Sequence, residues 1–316
     1  MTNPVVMVTG SNGFVGSAVV KKIGAENRSV RGVVRSLSGG DNQIAVGDIG
    51  PSTLWSSALM DVAVIVHAAA RVHVMTDQTT DPLSEFRRVN VDGTLNLARQ
   101  AAAQGVRRFI YISSIKVNGE FTDVGQSFSP EGVTGPVDPY AISKFEAEEG
   151  LKQLSAETGM EVVIIRPPLV YGPGVKANFL AMMRWLNKGV PLPFGAINNK
   201  RSLVALDNLV DLIATCIDHP AAVNQTFLVS DSEDLSTTEL LQRMATALGR
   251  PARLLPVPEY ILKAGATLLG RRDISMRLIG SLQVDISKTK KLLDWSPPLS
   301  IDDALKKTAE DFLSQT

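Results

Sequence analysis

A tyrosine and a lysine whose side chains can take part in proton transfer lie four positions apart in the segment PYAISKFEAEE. They are Tyr140 and Lys144. Positions i and i+4 of a helix share one face, so the lysine ammonium can stand near the phenol and favour its ionised form. A free phenol has a pKa near ~10 and is a poor base at neutral pH. With such help it can exchange a proton with a carbinol oxygen while a hydride leaves or joins the carbon. Chance also produces this spacing, so the pair alone is a weak signal.

A serine pair lies before this helix, where the apolar run FIYISS ends in Ser113 and Ser114. A hydroxyl at the carboxyl end of a strand in an open parallel sheet faces the ligand crevice. Either serine could therefore hold a substrate oxygen. A serine that only forms the turn at the strand end is the simpler interpretation.

Three glycines, Gly10, Gly13 and Gly16, separate the first apolar run from the first helical pattern in VMVTGSNGFVGSAVV. Glycine permits a tight turn and lets backbone amides approach a pyrophosphate, and the following helix N-terminus adds partial positive charge. The spacing is one residue longer than the dehydrogenase fingerprint G-x-G-x-x-G. The pattern predicts a dinucleotide site that also includes the turn and first-helix residues Asn12, Phe14 and Val15.

The strand that follows this unit ends without the acidic residue that binds the adenosine ribose in such folds. Arg35 and Ser36 stand there instead, and an arginine can pair with a 2′-phosphate. The residues therefore favour NADP(H), with NAD(H) left open because Arg35 could also stack on adenine without preference. Further on, Asp48 could accept from the adenine amino group and Ile49 could pack on the ring. A plain strand-end aspartate is the alternative.

Apolar runs alternate with helical patterns in the first half of the chain, which predicts an α/β fold with a parallel sheet covered on both faces. The predicted strands are 4–10, 29–34, 42–46, 61–70, 107–114, 161–167, 202–205 and 226–229. The predicted helices are 14–24, 82–104 (closed by Gly105), 139–157, 176–188, 207–218, 237–248, 258–269 and 301–314. We expect a dinucleotide-binding Rossmann domain over 1–166. Residues 167–316 should form a smaller, irregular substrate-binding portion, from which about 202–230 returns to the first domain.

The composition bounds the class of protein. Hydrophobic residues make up 44% of the 316, and Lys+Arg and Asp+Glu both number 32, which speaks against a general affinity for nucleic acid or anionic membranes. We expect no leader and no membrane span, because no apolar run approaches the ~20 residues that a span needs. The single cysteine, Cys216, fits a reducing, cytoplasmic compartment. The three histidines show no metal-ligand spacing, so we expect no metal.

The ordered motifs together resemble one family. They are the glycine turn, HAAA at 67–70, NVDGT at 90–94, ISS at 112–114, YAISK at 140–144, RPPLVYGPG at 166–174 and DISKTKKLLDWSPP at 285–298. In this order they resemble the extended short-chain dehydrogenase/reductases, and within them the nucleotide-sugar epimerase/dehydratase group, the relatives of UDP-glucose 4-epimerase. The likeness runs from residue 4 to about 298.

The resemblance implies roles for individual residues. Ser114 would hold the substrate oxygen, Tyr140 would be the acid/base, and Lys144 would bind the nicotinamide ribose and lower the pKa of Tyr140. It implies further cofactor-binding residues at Ala68, Ala69, Ala70, Asn90 and Pro167. It implies UDP-sugar ligands at Asn178, Pro193, Phe194, Arg201 and Arg277, with Arg272 as the rival of Arg277. Asn118 replaces a tyrosine that often closes the serine loop in relatives, and we expect it in the substrate site. Lys116, in the same loop, could meet the sugar or the diphosphate, or point into water. Relatives also pair their helices near 82–104 and 139–157 into a homodimer.

The reactions that the resemblance implies share hydride exchange at C4 of a UDP-linked hexose or N-acetylhexosamine. Arg35 and the loop SSIKVNGE favour a UDP-4-keto-sugar reductase, like the bacterial 4-reductases of UDP-4-keto-6-deoxy-N-acetylhexosamines made for surface polysaccharide. A 4-epimerase of UDP-glucose or UDP-N-acetylglucosamine is the alternative. A dehydratase is disfavoured, because Ile115 and Lys116 stand where it needs two carboxylates. A non-catalytic NADP-binding protein is the remote alternative. Leu282, in place of a gatekeeper aromatic, would leave room for an N-acetyl group.

Overall fold

Each central strand carries apolar side chains on both faces, because its residues alternate between two buried clusters. The computed structural model describes residues 4–37, 42–72, 81–123, 125–268 and 278–315. Val8 and Ile110 belong to what we call the first core, and their neighbours Met7 and Phe109 belong to the second core. Successive side chains of a strand point to opposite faces, so helices must cover both sides of the sheet.

The main sheet within the described ranges has seven parallel strands in the order β3-β2-β1-β4-β5-β6-β9. These strands are β1 Val5–Thr9, β2 Val30–Val34, β3 Gln43–Ala45, β4 Val62–His67, β5 Arg108–Ile112, β6 Glu161–Arg166 and β9 Thr226–Leu228. The order reverses between β1 and β4, and ligands of open α/β sheets bind in the crevice beyond the strand ends at such a point. The doubly wound sheet predicted from the sequence is confirmed.

A smaller sheet has the order β10-β8-β7, with β8 parallel to β7 and antiparallel to β10. Its strands are β7 Leu169–Tyr171, β8 Arg201–Ala205 and β10 Asp234–Leu235. It adjoins a third core, in which Phe179, Leu241 and Leu305 come from three different helices. The second half of the chain thus has its own buried apolar cluster.

The helices cover both faces of the main sheet. Their bounds are α1 Phe14–Ala25, α2 Pro82–Arg87, α3 Thr94–Ala103, α4 Pro139–Thr158, α5 Ala177–Asn187, α6 Leu206–Asp218, α7 Thr237–Ala247, α8 Glu259–Leu268, α9 Ser287–Leu293 and α10 Ile301–Ser314. Short 3₁₀ turns cover Ile115–Val117 and Pro220–Ala222. Helices α1 and α6 contribute to the first core, and α3 and α4 contribute to the second. The α4 helix therefore lies on the second-core face of β5 and β6.

The long helix expected over 82–104 is interrupted. Between α2 and α3, Arg88–Gly93 forms a π-helical turn, a feature that often marks functional sites. Gly93 packs tightly there, because a Cβ on it would lie 2.7 Å from Ile49 Cγ2. The predicted end is present, since Gly105 has a φ of +78°. The sequence prediction missed β7, β10 and α9, which are three, two and seven residues long.

Parts of the second half join the first. Strand β9 pairs with β6 in the main sheet, and α6 packs against α1. Leu293 and Trp295 also belong to the first core. These contacts agree with a return near 202–230, while the division of the chain at residue 166 stays a prediction.

We expect Leu209→Ala to lower the free energy of unfolding by about 2–5 kcal/mol, because it removes a fully buried side chain between α6 and the sheet. The control is Leu54→Ala, the same change at a residue that is 80% exposed, and it should alter stability by less than about 0.5 kcal/mol. Urea unfolding of both variants measures the difference. Equal losses would contradict the assignment of the first core.

Candidate active site

The glycine turn sits at the carboxyl end of β1, at the sheet's reversal point. Gly10 has a φ of +67°, and a Cβ on Gly16 would lie 2.1 Å from the Gly10 carbonyl oxygen. Gly13 is the N-cap of α1 and offers no side-chain cap, so protein side chains do not compete for the first backbone N–H groups there. Asn12 is exposed, while the following residues Phe14 and Val15 pack on the first core. The turn fits a dinucleotide pyrophosphate.

The strand beside the turn ends in small residues. A Cβ on Gly10 would lie 3.0 Å from the Ala69 Cα, so the two backbones are in close contact. The Ala69 amide donates to the Thr9 hydroxyl at 3.3 Å. Ala68, Ala69 and Ala70 are all partly buried. A role of these alanines beside a cofactor, implied by the resemblance, stays a prediction.

The end of β2 carries an ion pair that the sequence reasoning did not foresee. Arg35 Nε lies 2.7 Å from Asp48 Oδ1, and the side chains are 79% and 72% exposed. Ser36 is exposed next to Arg35, and Ile49 packs against the second core. The carboxylate offsets the arginine charge and would repel a 2′-phosphate. Arg35 is therefore paired with an acid, contrary to the expectation, which weakens the case for NADP(H).

Ser114 and Tyr140 meet at the carboxyl end of β5. Asp138 caps α4 by accepting from the Ala141 amide at 2.7 Å, which places Tyr140 in the helix's first turn. The Ser114 hydroxyl lies near enough to the Tyr140 phenol to favour its ionised form, and the Tyr140 ring meets the Phe86 ring edge-on at a centroid distance of 6.1 Å. The structure thus brings two of the predicted catalytic residues near each other.

Burial raises the pKa of Tyr140 to about 12, the nearby Asp138 carboxylate adds to this, and the Ser114 hydroxyl opposes it. The sequence argument expected the pKa of Tyr140 to be lowered by Lys144. The direction is the reverse because the phenolate loses solvation in the crevice and faces a carboxylate. At neutral pH the phenol keeps its proton.

Lys144 lies one turn along α4 and is 2% exposed. Its Nζ donates to the Ile112 carbonyl at 2.7 Å and lies 4.2 Å from the centre of the Tyr111 ring. Burial lowers the pKa of Lys144 to about 7, and Glu148 opposes this. Burial therefore weakens the cation that was expected beside the phenol.

Asn90 supports the site from the π-helical turn. Its amide nitrogen donates to the Arg71 carbonyl and the Ser143 hydroxyl, and its oxygen accepts from the Arg71 amide. Ser143 in turn donates to the Tyr140 carbonyl at 2.8 Å. Asn90 is 1% exposed, so its amide is committed to protein and not to a cofactor.

A buried ion pair below the site was missed from the sequence. Arg166 donates to both carboxylate oxygens of Glu148 with nitrogen–oxygen distances of 2.5–3.2 Å, and both side chains are at most 2% exposed. Ser113 also donates to Glu148, at 2.5 Å. Ser113, the first serine of the pair, thus anchors the structure while Ser114 faces Tyr140. The available signal was a charge at the end of the otherwise apolar run EVVIIR.

Asn118 is a correction to the expected substrate set. Its side-chain oxygen accepts from Arg166 at 3.0 Å, its nitrogen donates to the Ser129 carbonyl at 3.1 Å, and the residue is 4% exposed. The amide is saturated by protein partners and does not face a ligand. Pro167, expected near the cofactor, is buried, and its carbonyl accepts from the Ile115 amide at 3.0 Å.

The remaining predicted substrate ligands lie in the second half. Arg201 begins β8 and donates to the Gly280 carbonyl at 2.8 Å. Pro193 and Phe194 are partly buried in an extended segment that pairs with 253–255. Asn178 is exposed at the start of α5. Arg277 and its rival Arg272 lie outside the described residues.

Leu282 is 6% exposed and packs in the first core. Its backbone pairs with the start of β8, since the Ser202 amide donates to its carbonyl at 2.8 Å. A side chain enclosed in this way does not line a sugar pocket. The inference of room for an N-acetyl group therefore has no support at this position.

The described residues contain no cluster of three or more side chains that could hold a metal. His67 instead hydrogen-bonds Thr9 and Thr94 at 2.8 and 3.0 Å, and burial lowers its pKa to about 3, with Lys144 adding to the effect. No helix among the described residues combines the length and apolar character that crossing a bilayer requires.

The profile of the NAD dependent epimerase/dehydratase family matches residues 6–230 of the chain. This range holds the glycine turn, Ser114, Tyr140 and Lys144. The chain belongs to this family. Its affiliation with the extended short-chain dehydrogenases, expected from the motifs, is confirmed.

Individual relatives agree with the family. A UDP-glucose 4-epimerase from Vibrio cholerae is 52% identical over 98% of this chain and 95% of its own length. Among solved structures, a short-chain dehydrogenase/reductase superfamily protein from Agrobacterium tumefaciens with bound NAD has a TM-score of 0.78 and 21% identity over 98% of both chains. A UDP-N-acetylglucosamine 4-epimerase from Bacillus cereus has a TM-score of 0.77 and 23% identity, again over 98% of both. The two structures show the shared fold.

We expect Glu148→Gln to lower the free energy of unfolding by about 3–5 kcal/mol, because it leaves the buried Arg166 guanidinium without its counter-charge. Glu149→Gln on the same helix is the matched control. Its pair with Lys152 is exposed, so stability should stay close to that of the unaltered protein. Urea unfolding compares the two. A Glu148 variant as stable as the control would show that the pair does not carry this part of the fold.

Proposed function

We propose that the protein is an NAD-dependent UDP-sugar 4-epimerase that interconverts UDP-glucose and its C4 epimer UDP-galactose. The observation that carries the proposal is the 52% identity with the Vibrio cholerae UDP-glucose 4-epimerase across nearly the whole of both chains. The proximity of Ser114 to Tyr140, with Lys144 one turn away, supplies the groups that this reaction needs. The alternative of the sequence analysis therefore replaces the 4-keto-sugar reductase as the favoured function.

The ion pair at the end of β2 supports NAD over NADP. Asp48 offsets Arg35 at 2.7 Å, so a 2′-phosphate would meet a carboxylate as well as a guanidinium. The Agrobacterium tumefaciens structure of the same fold holds NAD. An epimerase also suits NAD, because the same cofactor molecule takes up and returns the hydride within each turnover.

The chain's residues divide the chemistry as follows. A nicotinamide dinucleotide held at the glycine turn would supply the hydride acceptor and donor for C4. Tyr140 would take the proton from the C4 hydroxyl during oxidation and return it during reduction. Ser114, which lies near the Tyr140 phenol, would hold the same sugar oxygen in line. The glycine turn binds the pyrophosphate and keeps the dinucleotide against the carboxyl ends of β1 and β4.

The charges of the site set the direction of proton transfer. The pKa of about 12 keeps Tyr140 protonated and ready to donate to a ketone oxygen. The opposite direction needs the phenolate, and Lys144, with a pKa of about 7, is the cation on the same helix face. We therefore expect sugar oxidation to speed up with rising pH until Lys144 loses its proton.

A homodimer and a cytoplasmic setting stay predictions from the sequence. Within one chain, α3 and α4 pack so closely that a Cβ on Gly150 would lie 2.7 Å from Leu95 Cδ1. This close packing is compatible with an isologous contact between the helix pair and a second copy.

We expect Tyr140→Phe to lower kcat for UDP-glucose epimerisation by about 10²–10⁴-fold, because it removes the group that moves the proton. Binding of NAD should be retained, since the ring and its contact with Phe86 remain. The matched control is Tyr260→Phe, a residue that is 72% exposed on α8 and should leave kcat unchanged.

The assay follows UDP-galactose by NMR, with purified protein and no added reductant. Formation of UDP-galactose supports the epimerase. If the protein instead oxidises one NADPH for each UDP-4-keto sugar reduced and shows no epimerisation, it is a 4-keto-sugar reductase and the epimerase proposal is rejected. Full activity of the Tyr140 variant would reject the proposed proton carrier.

We expect Asp48→Asn to lower the ratio of the NADP Kd to the NAD Kd by about three- to tenfold, because Arg35 then keeps its charge for a 2′-phosphate. Taking the ratio cancels any loss of adenine contacts common to both cofactors. The control is Asp302→Asn, which alters an exposed aspartate paired with Arg243 away from the site. Titration calorimetry with each cofactor gives the ratio. An unchanged ratio would mean that the ion pair plays no part in cofactor choice.

A further inference from the structure

Lys116 stands in the turn that carries Ser114, but its side chain reaches a different element. The Lys116 ammonium is hydrogen-bonded to the Asp138 carboxylate at the start of α4 and to Glu120 Oε1 at 3.1 Å. Its backbone amide donates to the Ser114 hydroxyl oxygen at 3.3 Å. One residue thus contacts both the serine and the helix that carries Tyr140.

The two carboxylate oxygens of Asp138 contact different groups. One carboxylate oxygen caps α4 through the Ala141 amide, and the other binds Lys116. Tyr140 lies two residues further along, and the Asp138 charge disfavours its phenolate. The three side chains of the ion-pair group, those of Lys116, Glu120 and Asp138, are 29%, 27% and 21% exposed, so solvent screens them only in part.

We propose that Lys116 is a positioning residue, which neutralises the Asp138 carboxylate next to Tyr140 and holds the Ser114 turn against the N-terminus of α4. The inference rests on the proposed function for the role of Tyr140 as proton carrier. It replaces the expectation that Lys116 binds the substrate, because the ammonium is already engaged by two carboxylates.

Several other groups face the Tyr140 phenol. At the start of its own helix it is Asp138, on β5 it is Tyr111, and in the serine turn it is Ser114, while Lys144 lies against the Tyr111 ring. Tyr111 is buried and its pKa is raised well above its usual value by that burial, so it stays neutral. Asp138 is therefore the negative charge next to the phenol, and Lys116 is the cation that binds it.

Two substitutions that remove opposite charges distinguish an electrostatic role of Lys116 from a purely structural one. Lys116→Met removes the ammonium that binds the Asp138 carboxylate and should make the phenol harder to ionise. Asp138→Asn keeps an N-cap side chain but removes the charge, and should make it easier. Both changes break the same ion pair, so a purely structural role would move the two variants in the same direction.

The experiment uses the full chain labelled with 3-fluorotyrosine, whose phenol ionises at lower pH than that of tyrosine. Fluorine NMR follows each of the four tyrosines, and the Tyr140→Phe variant assigns the signal of residue 140. We expect the midpoint of that signal to rise by about 0.5–1 pH unit in Lys116→Met and to fall by a similar amount in Asp138→Asn. Lys116→Arg should restore the midpoint of the unaltered protein.

The matched control is Lys307→Met, which breaks the exposed pair with Asp207 at 2.7 Å and should leave the midpoint in place. A Lys116→Met midpoint equal to the control, or both variants shifting the same way, would overturn the proposal. The readout needs no turnover, so absence of epimerase activity would reject the proposed function and leave this test intact. Should Lys116→Met fail to fold, Asp138→Asn still tests the proposal. An unchanged or raised midpoint of the residue-140 signal in that variant would contradict it.

Discussion

The buried ion pair between Glu148 and Arg166 is the interaction on which the site geometry depends. It joins the middle of α4 to the end of β6, and through Ser113 and Asn118 it also holds the end of β5 and the turn behind Ser114. Both charges are almost fully buried, so each needs the other, and neither element can shift without leaving a charge unpaired. The ion pair thereby fixes the position of α4, which carries Tyr140 and Lys144, relative to β5, which leads into Ser114.

Burial disfavours the charged forms of the two catalytic groups on α4, Tyr140 and Lys144. It raises the pKa of Tyr140 and lowers that of Lys144, so both neutral forms are favoured in the crevice. The few charges that remain near the phenol then have a large effect on its pKa, because partial exclusion of water reduces screening. This is why the pairing of Asp138 with Lys116 matters in a protein whose overall net charge is zero.

Much of the fold was predictable because it follows from local pattern. Runs such as EVVIIR are apolar on both faces, which only a sheet covered on two sides can bury, and the glycine turn identifies the first crossover. Short elements escaped prediction: β10 has two residues and is defined by its pairing with β8, not by its own sequence. The π-helical turn was equally hidden, because the close approach of Gly93 to Ile49 comes from residues far apart in the chain.

The sequence by itself determined the parallel sheet, the dinucleotide turn and the candidate trio Ser114, Tyr140 and Lys144, because each depends on residue types at short, regular spacing. Only the tertiary structure decided what surrounds them. It pairs Asp48 with Arg35, places a hydrogen bond from Arg166 on the Asn118 side-chain oxygen, and pairs Lys116 with Asp138, 22 positions away. Charge effects depend on distance and solvent access in space, and neither quantity is written in the order of the residues.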